Sequence, residues 1–441
     1  MERLVLITLS LILLPLSIIF RKKLFFLLVL SIFTTEFLWI NIGGGIFRIS
    51  HFLAILVLLV FSLTETKKVI FYITRSRILI YLLILIFYNI FLILFNVSNY
   101  EASFFSLGLM GIMFTFSLDT SLFLSIYKGE KDFFRALKFS SLVAVLFGLA
   151  QYIVLVLFNK ALAFTEVQRR NILFDRRITS FFTEGDTFGK NVMLVTLLFL
   201  PFVYPSKDKS HSKKIEWSPQ VMALYVFVLI INATRSALAG FMFGLLILML
   251  LSIRKKTQQI KLYRISRDLV LLLFISIAAM YFLGHLSLIS RRFSSLFSVR
   301  QTLSTDASAK LRFKSITEPL KKFLHSGYEN IIFGSGWANL KTEWGESRLE
   351  GTSNIFATIF IYDGILGFGI FLAIIFLAFK ILYRNYLLNR DLALGTIASL
   401  IGALVASQMA PMLIAPEFWV LLGLTAYLEQ IPFYKDEKNK R

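Results

Sequence analysis

Long apolar blocks without a charged residue constrain this chain more than any other feature. Examples are "LVLITLSLILLPLSIIF" at 4–20 and "ALAGFMFGLLILMLLS" at 237–252. About 20 apolar residues are enough for a helix to cross the hydrocarbon core of a bilayer. Hydrophobic residues make up 57% of the chain, and its mean hydropathy is +0.74. The pattern predicts one polytopic membrane domain over 1–441, with the lipid bilayer as its partner.

The expected fold class is an all-α membrane helical bundle. Inside lipid every backbone N–H and C=O group needs a partner within the protein, and a helix supplies that partner within one segment. The repeated short alternating segments of a β-barrel do not appear in the sequence. Counting the apolar blocks predicts about 12–13 transmembrane helices. From residue 24 onward the predicted spans are 24–41, 51–65, 78–95, 103–126, 139–158, 187–204, 219–232, 236–252, 268–288, 353–379, 392–409 and 417–431.

Basic residues cluster in short segments between the apolar blocks, which is typical of cytoplasmic loops. We therefore expect a multi-pass protein of the cytoplasmic membrane. The net charge of +21 is then explained by topology, and no nucleic-acid partner is expected. The segments assigned to the cytoplasm are 21–23, 67–77, 128–138, 207–214, 254–267, 380–390 and 435–441.

This topology predicts two substantial segments outside, at 159–186 and 290–352. In the larger one, "KLRFKSITEPLKKFLHS" at 310–326 has the apolar spacing of an amphipathic helix with a basic face. We expect the loop at 290–352 to form part of the cover of an active site. The chain has no cysteine and four histidines, so neither a metal site nor a cofactor is expected.

Four arginines on the predicted outer side are candidate ligands for phosphate groups: Arg176, Arg177, Arg235 and Arg312. A guanidinium stays charged, and its planar fork binds phosphate oxygens in pairs. The four therefore indicate a lipid-linked phosphate or diphosphate presented from the outer leaflet. Two plainer interpretations stay open: Arg235 as a helix anchor that reaches the interface, and the segment "RRITSFFTEGDTFGKN" at 176–191 as a solvated loop.

Several motifs together resemble the superfamily of bacterial O-antigen polymerases and O-antigen ligases. They are "GGGIFRISHFLAIL" at 43–56, "RRITSFFTEGDTFGKNVML" at 176–194, "NATRSALAG" at 232–240, "KLRFKSITEPLKKFLHSGYENIIFGSGWANL" at 310–340 and "GTSNIFATIFIYDGILGFGIFLAI" at 351–374. The ligases typically carry His-Asn where this chain has Ser353 and Asn354. That departure favours a polymerase over a ligase.

The resemblance implies a metal-independent membrane glycosyltransferase. It would polymerise polyprenyl-diphosphate-linked (undecaprenyl diphosphate type) oligosaccharide repeat units into O-antigen of lipopolysaccharide, capsule or exopolysaccharide. The active site would face the periplasm or the cell exterior, and a chain-length regulator protein is an expected partner. Fixed arginines would stabilise the leaving diphosphate.

Glycosyl transfer also requires a base for the acceptor hydroxyl. Glu184 and Asp186 are the candidate catalytic residues, or else partners that hold the arginines. Asp363, just inside a predicted span, is a further candidate, or else a residue that packs helices together or pairs with an arginine. A ligase-like transferase and a polysaccharide flippase or transporter stay open as alternatives. A transporter is expected to show repeats and charges near the bilayer midplane.

Overall fold

Helices make up most of the part of the chain that the computed structural model describes. The described residues are 21–34, 39–42, 45–95, 100–127, 129–173, 178–182, 185–203, 217–232, 234–253, 267, 307–336, 354–388, 390–408 and 415–439.

The helices in chain order are α1 (Arg21–Thr34), α2 (Ile49–Arg75), α3 (Arg77–Phe95), α4 (Tyr100–Tyr127), α5 (Glu130–Phe158), α6 (Glu166–Leu173), α7 (Gly185–Phe199), α8 (Pro219–Asn232), α9 (Arg235–Ile253), α10 (Ala307–Leu324), α11 (Tyr328–Phe333), α12 (Ile355–Leu387), α13 (Asp391–Ala406) and α14 (Pro416–Asn439). A single 3-10 turn, Leu200–Phe202, follows α7.

Six helices in the described ranges are long and apolar enough to cross a membrane: α2, α3, α4, α5, α9 and α12. Two further apolar helices, α8 and α13, are shorter. The chain is therefore a helical, multi-pass membrane protein, as its apolar blocks predicted. The predicted total of 12–13 spans stays a prediction, because the blocks at 4–20 and 268–288 lie outside the described residues.

The predicted helix over 24–41 is wrong in its second half. Helix α1 ends at Thr34, and the strand β1 (Trp39–Ile42) pairs antiparallel with β2 (Gly45–Arg48). The register places Trp39 opposite Arg48 and Ile42 opposite Gly45. β-branched and aromatic residues favour strands, and two glycines between them favour a hairpin. The preference of these residues for β-strand therefore outweighs the hydropathy that predicted a transmembrane helix.

Helix α13 packs between α7 and α9 through small residues. A Cβ added at Gly240 would lie 2.5 Å from the backbone oxygen of Gly402, and one added at Gly244 would lie 2.7 Å from that of Ala398. The two contacts show that α9 and α13 run antiparallel. Small residues let membrane helices approach closely and gain packing contacts. This contact fixes where the first residues of α9 lie.

Helix α4 is the most enclosed of the six candidate spans. In its most apolar window 78% of the residues are buried, compared with 39–44% in the other five. Ser117 donates a hydrogen bond to the backbone oxygen of Trp419 on α14 at 2.7 Å. On another side, the Phe123 ring stacks on Phe25 of α1 at a centroid distance of 3.9 Å. Helix α4 therefore lies in the interior of the described bundle.

Candidate functional site

Two helices, α7 and α9, begin side by side and bring polar residues together at one end of the bundle. We call Asp186, Lys190, Asn232, Thr234 and Ser236 the polar cluster. The Asn232 side chain donates to the backbone oxygen of Gly185 at 3.1 Å, and Thr234 donates to the same oxygen at 3.3 Å. The short turn between α8 and α9 is thereby bound to the first residue of α7.

A buried ion pair lies at the centre of the polar cluster. The Lys190 ammonium nitrogen is 3.0 Å from Oδ2 of Asp186, and the two side chains are only 8% and 10% exposed. Ser236 donates to the other oxygen, Oδ1, at 3.0 Å. Both carboxylate oxygens of Asp186 are therefore engaged by protein donors. This geometry favours Asp186 as a residue that positions its neighbours rather than as an accessible base.

An arginine and two helix N-termini lie beside the buried ion pair. Arg235 is the first residue of α9 and is half-buried. It directly precedes Ser236, which contacts Asp186. Helix N-termini carry partial positive charge, and here two of them lie adjacent. Lys190 is paired with Asp186, and Arg235 adds a further cation at the start of α9.

The segment before α7 is folded into the protein. Ile178, Thr179, Ser180 and Phe182 are each at most 1% exposed. The Gln151 side chain of α5 accepts hydrogen bonds from the backbone N–H groups of Thr179 at 3.0 Å and Ser180 at 2.7 Å.

A second glutamine holds the same segment from α6. The Gln168 side chain donates to the backbone oxygen of Phe182 at 2.7 Å. Ser180 adopts a left-handed conformation with φ of +53° and donates to the backbone oxygen of Ala144 at 2.6 Å. The described part of "RRITSFFTEGDTFGKN" is therefore buried rather than solvated.

A break in α12 binds the loop that follows α11. The backbone N–H groups of Ser335 and Gly336 donate to the backbone oxygens of Ile361 and Tyr362, each at 3.0 Å. Next to these carbonyls, Gly364 has φ of +64° and interrupts the helical backbone. The loop thus satisfies carbonyls that the break leaves without a helical donor.

Close backbone packing makes both glycines necessary at this contact. A Cβ on Gly334, which has φ of +93°, would lie 2.1 Å from the backbone oxygen of Tyr362. A Cβ on Gly364 would lie 2.4 Å from the nitrogen of Gly334. Tyr88 of α3 reinforces the contact, since its hydroxyl donates to the backbone oxygen of Phe333 at 2.9 Å and is 3.0 Å from that of Asp363. We call this contact the glycine clasp.

Another buried carboxyl, that of Asp119, lies in α4. Asp119 of α4 is 0% exposed, and neither of its oxygens has a hydrogen-bond partner among the described residues. Ionisable groups inside membrane helices are costly and usually serve a function. Asp119 was not predicted as a site residue, although "FSLDTSL" lies in the middle of an apolar block.

The predicted site residues are placed only in part. Asp186 and Arg235 lie in adjacent helix starts, linked through Ser236. Arg176, Arg177 and Glu184 lie outside the described residues. Arg312 belongs to α10, and this helix confirms the one predicted at 310–326. The side chain of Arg312 is not among the described ones. Convergence of the arginines on one ligand therefore stays a prediction.

Two other predictions refer to α12. Asp363 is fully buried beside the break at Gly364. Asn354 caps the helix, because its side-chain oxygen accepts from the backbone nitrogens of Phe356 at 2.9 Å and Ala357 at 3.1 Å. Its amide also donates to the Gln408 side chain at 2.6 Å. The asparagine of the Ser353–Asn354 pair thus has a structural role at the start of α12.

Sequence reasoning missed Lys190, Gln151, Gln168 and Tyr88. Lys190 carried a readable signal, since it follows Asp186 by four residues and helix neighbours at that spacing interact. Gln151 also stood out as an amide within the apolar run "FGLAQYIVL". No local pattern identifies Tyr88 as the partner of Phe333, because the two are separated by 245 positions.

Comparison of the chain with protein-family models and with curated proteins found no match. The fold and site therefore define a class only, that of a multi-pass helical membrane protein with a buried polar cluster at one end of its bundle.

Proposed function

We propose that the chain is a membrane glycosyltransferase that polymerises polyprenyl-diphosphate-linked repeat units at the outer face of the cytoplasmic membrane. The observation that carries this proposal is the polar cluster. It joins the start of α7 to the start of the apolar helix α9, whose first residue is Arg235. A polar site beside two helix N-termini and an arginine suits an anionic group on a lipid, and a diphosphate is such a group.

The proposed reaction makes one glycosidic bond and breaks one. An acceptor sugar hydroxyl attacks the anomeric carbon of the donor, and the bond from that carbon to the diphosphate oxygen breaks. The electron pair leaves with the diphosphate, whose growing negative charge Arg235 stabilises electrostatically. The hydroxyl proton passes to a base. Since both oxygens of Asp186 are engaged, Glu184 is the proposed base and Asp186 holds Lys190 and Ser236 in place.

The remaining arginines complete this proposal. Arg176 and Arg177 precede the buried segment held by Gln151 and Gln168, and Arg312 lies in α10. We propose that they bind the same diphosphate, and that the glycine clasp fastens the loop 290–352 over it. A structure with the guanidinium groups of Arg177, Arg235 and Arg312 more than about 20 Å apart would contradict this, because one diphosphate is too short to span them.

Deletion of the gene tests the function in cells. The proposal predicts single repeat units on the lipid carrier or cell surface and loss of long polymer on an electrophoretic gel. An unchanged polymer ladder would rule the proposal out. Long polymer that accumulates on the lipid carrier would indicate the ligase instead, and unpolymerised units retained at the cytoplasmic face would indicate a flippase.

One observation favours transport as a second candidate function. Asp119 is a fully buried carboxyl within a candidate span, and such residues mark ion and substrate pathways in transporters. An assay of lipid-linked sugar movement across vesicles tests it. Transport that requires Asp119 and is lost in Asp119→Asn would support this candidate, and no movement in the unsubstituted protein would exclude it.

A further inference from the structure

A cavity of about 420 Å3 opens on the side of the bundle where α9, α12 and α13 meet. Most of its wall is apolar and consists of Ile247, Leu251, Phe376, Phe379 and Ile397. Phe376 is 72% exposed at this opening. All three helices belong to the apolar set of the membrane domain. The cavity therefore faces the lipid, and its wall suits a hydrocarbon chain.

Two cations lie on α12 near one end of the same cavity. Lys380 and Tyr383 line the cavity through the apolar parts of their side chains, and the exposed Arg384 follows Lys380 by about one helical turn. Across the described ranges, neither Lys380 nor Arg384 forms a salt bridge. A cation at the rim of an apolar cavity, with a second cation one turn further along the same helix, is complementary to a lipid with a negatively charged headgroup.

Neighbouring contacts define the extent of the site. The Tyr386 hydroxyl donates to the backbone oxygen of Leu251 at 2.5 Å and joins α12 to the last turn of α9. Toward the other end of α12, a second cavity of about 490 Å3 shares Phe379 and extends to Gln408. Phe379 therefore lies between two apolar cavities that follow one another along α12 and α13.

We propose that this cavity binds an anionic phospholipid. One acyl chain lies against Phe376 and Phe379, and the headgroup phosphate is bound by Lys380 and Arg384. The segment 380–390 is predicted to be cytoplasmic, so the lipid belongs to the inner leaflet. A zwitterionic phospholipid is disfavoured, because its own cation would lie next to the ammonium group of Lys380. This site is separate from the polar cluster and does not depend on the proposed reaction.

Quenching of an introduced indole tests the site. Phe376→Trp is reconstituted in phosphatidylcholine vesicles that contain rising fractions of phosphatidylglycerol with brominated chains. A parallel series uses brominated phosphatidylcholine. The signal of the unsubstituted protein, which has five tryptophans, is subtracted. We expect brominated phosphatidylglycerol to quench at a several-fold lower fraction than brominated phosphatidylcholine. Tyr383→Trp, at a 41% exposed position that also lines the cavity, is the second probe.

Two controls separate the site from ordinary lipid contact. Met242→Trp lies on α9 at a 60% exposed position that does not line the cavity, and there the two brominated lipids should quench equally. Each cation near an anionic surface changes binding about fivefold. Adding Lys380→Gln and Arg384→Gln to Phe376→Trp should therefore remove the preference. Equal quenching by the two lipids in both cavity probes, or a preference that survives both charge substitutions, would overturn the proposal.

Discussion

The buried ion pair in the polar cluster gives a sharp prediction about stability. Lys190 and Asp186 are 3.0 Å apart, and their side chains are 8% and 10% exposed. Lys190→Met keeps most of the aliphatic chain and removes the ammonium, so the carboxylate stays buried without that cation. Breaking one side of a buried pair costs about 3–5 kcal/mol. We expect the free energy of unfolding to fall by about 3 kcal/mol.

The chain offers a matched control at the same helical spacing. Lys314 and Glu318 on α10 are also four residues apart and 3.2 Å from each other, but their side chains are 50% and 42% exposed. An exposed pair of this kind contributes about 0.3–0.5 kcal/mol. Lys314→Met should therefore change the free energy of unfolding by less than about 0.5 kcal/mol.

Steric trapping in bicelles measures both values without removing the protein from a lipid environment. The double variant Asp186→Asn with Lys190→Met removes both charges. It should lose less stability than Lys190→Met alone, because no buried charge is left uncompensated. A loss for Lys190→Met no larger than that for Lys314→Met, or a double variant that is the least stable of the three, would show that the buried ion pair does not stabilise the fold.

Three further substitutions test other parts of the structure. Gly364→Ala should lower the free energy of unfolding by about 2 kcal/mol or more. A φ of +64° disfavours a residue with a side chain, and the added Cβ would lie 2.4 Å from the backbone nitrogen of Gly334. Gly369→Ala, with no atom within 4 Å of its Cβ, is the control, and equal losses would argue against the clasp. Gln151→Leu should cost about 3 kcal/mol, because the buried N–H groups of Thr179 and Ser180 lose their acceptor; limited proteolysis that leaves 178–182 as protected as before would contradict this. Asp119→Leu should raise the free energy of unfolding by about 1–3 kcal/mol, because a buried carboxyl without a hydrogen bond among the described residues is costly; a stability loss in thermal unfolding would show that Asp119 has a stabilising partner.

The helical membrane fold could be predicted because it depends on local composition. The apolar blocks predicted the ends of α8 and α9 to within one residue, because a few polar residues separate the two apolar runs in "FVLIINATRSALAGFMFG". The strand pair at Trp39–Arg48 was missed, because its residues are as apolar as a span and only their β preference and the glycines between them distinguish it.

The candidate site was predictable in its chemistry and not in its contacts. The sequence pointed to Asp186 and Arg235 as charged residues at the starts of spans, and the structure places those starts side by side. The glycine clasp could not be predicted, because it pairs Gly334 with the break at Gly364 in a distant segment. No local pattern encodes such a pairing.

The function itself is tested most directly with purified protein in nanodiscs supplied with polyprenyl-diphosphate-linked repeat units, and with products separated by electrophoresis. The proposal predicts a ladder of dimers and longer chains from the unsubstituted protein. Arg235→Gln should lower the rate about 10²–10³-fold, as loss of one group that stabilises a developing charge does. Arg135→Gln, at an exposed position on α5, should leave it unchanged. Absence of any product longer than one repeat unit, or an Arg235→Gln rate equal to that of the unsubstituted protein, would contradict the proposal.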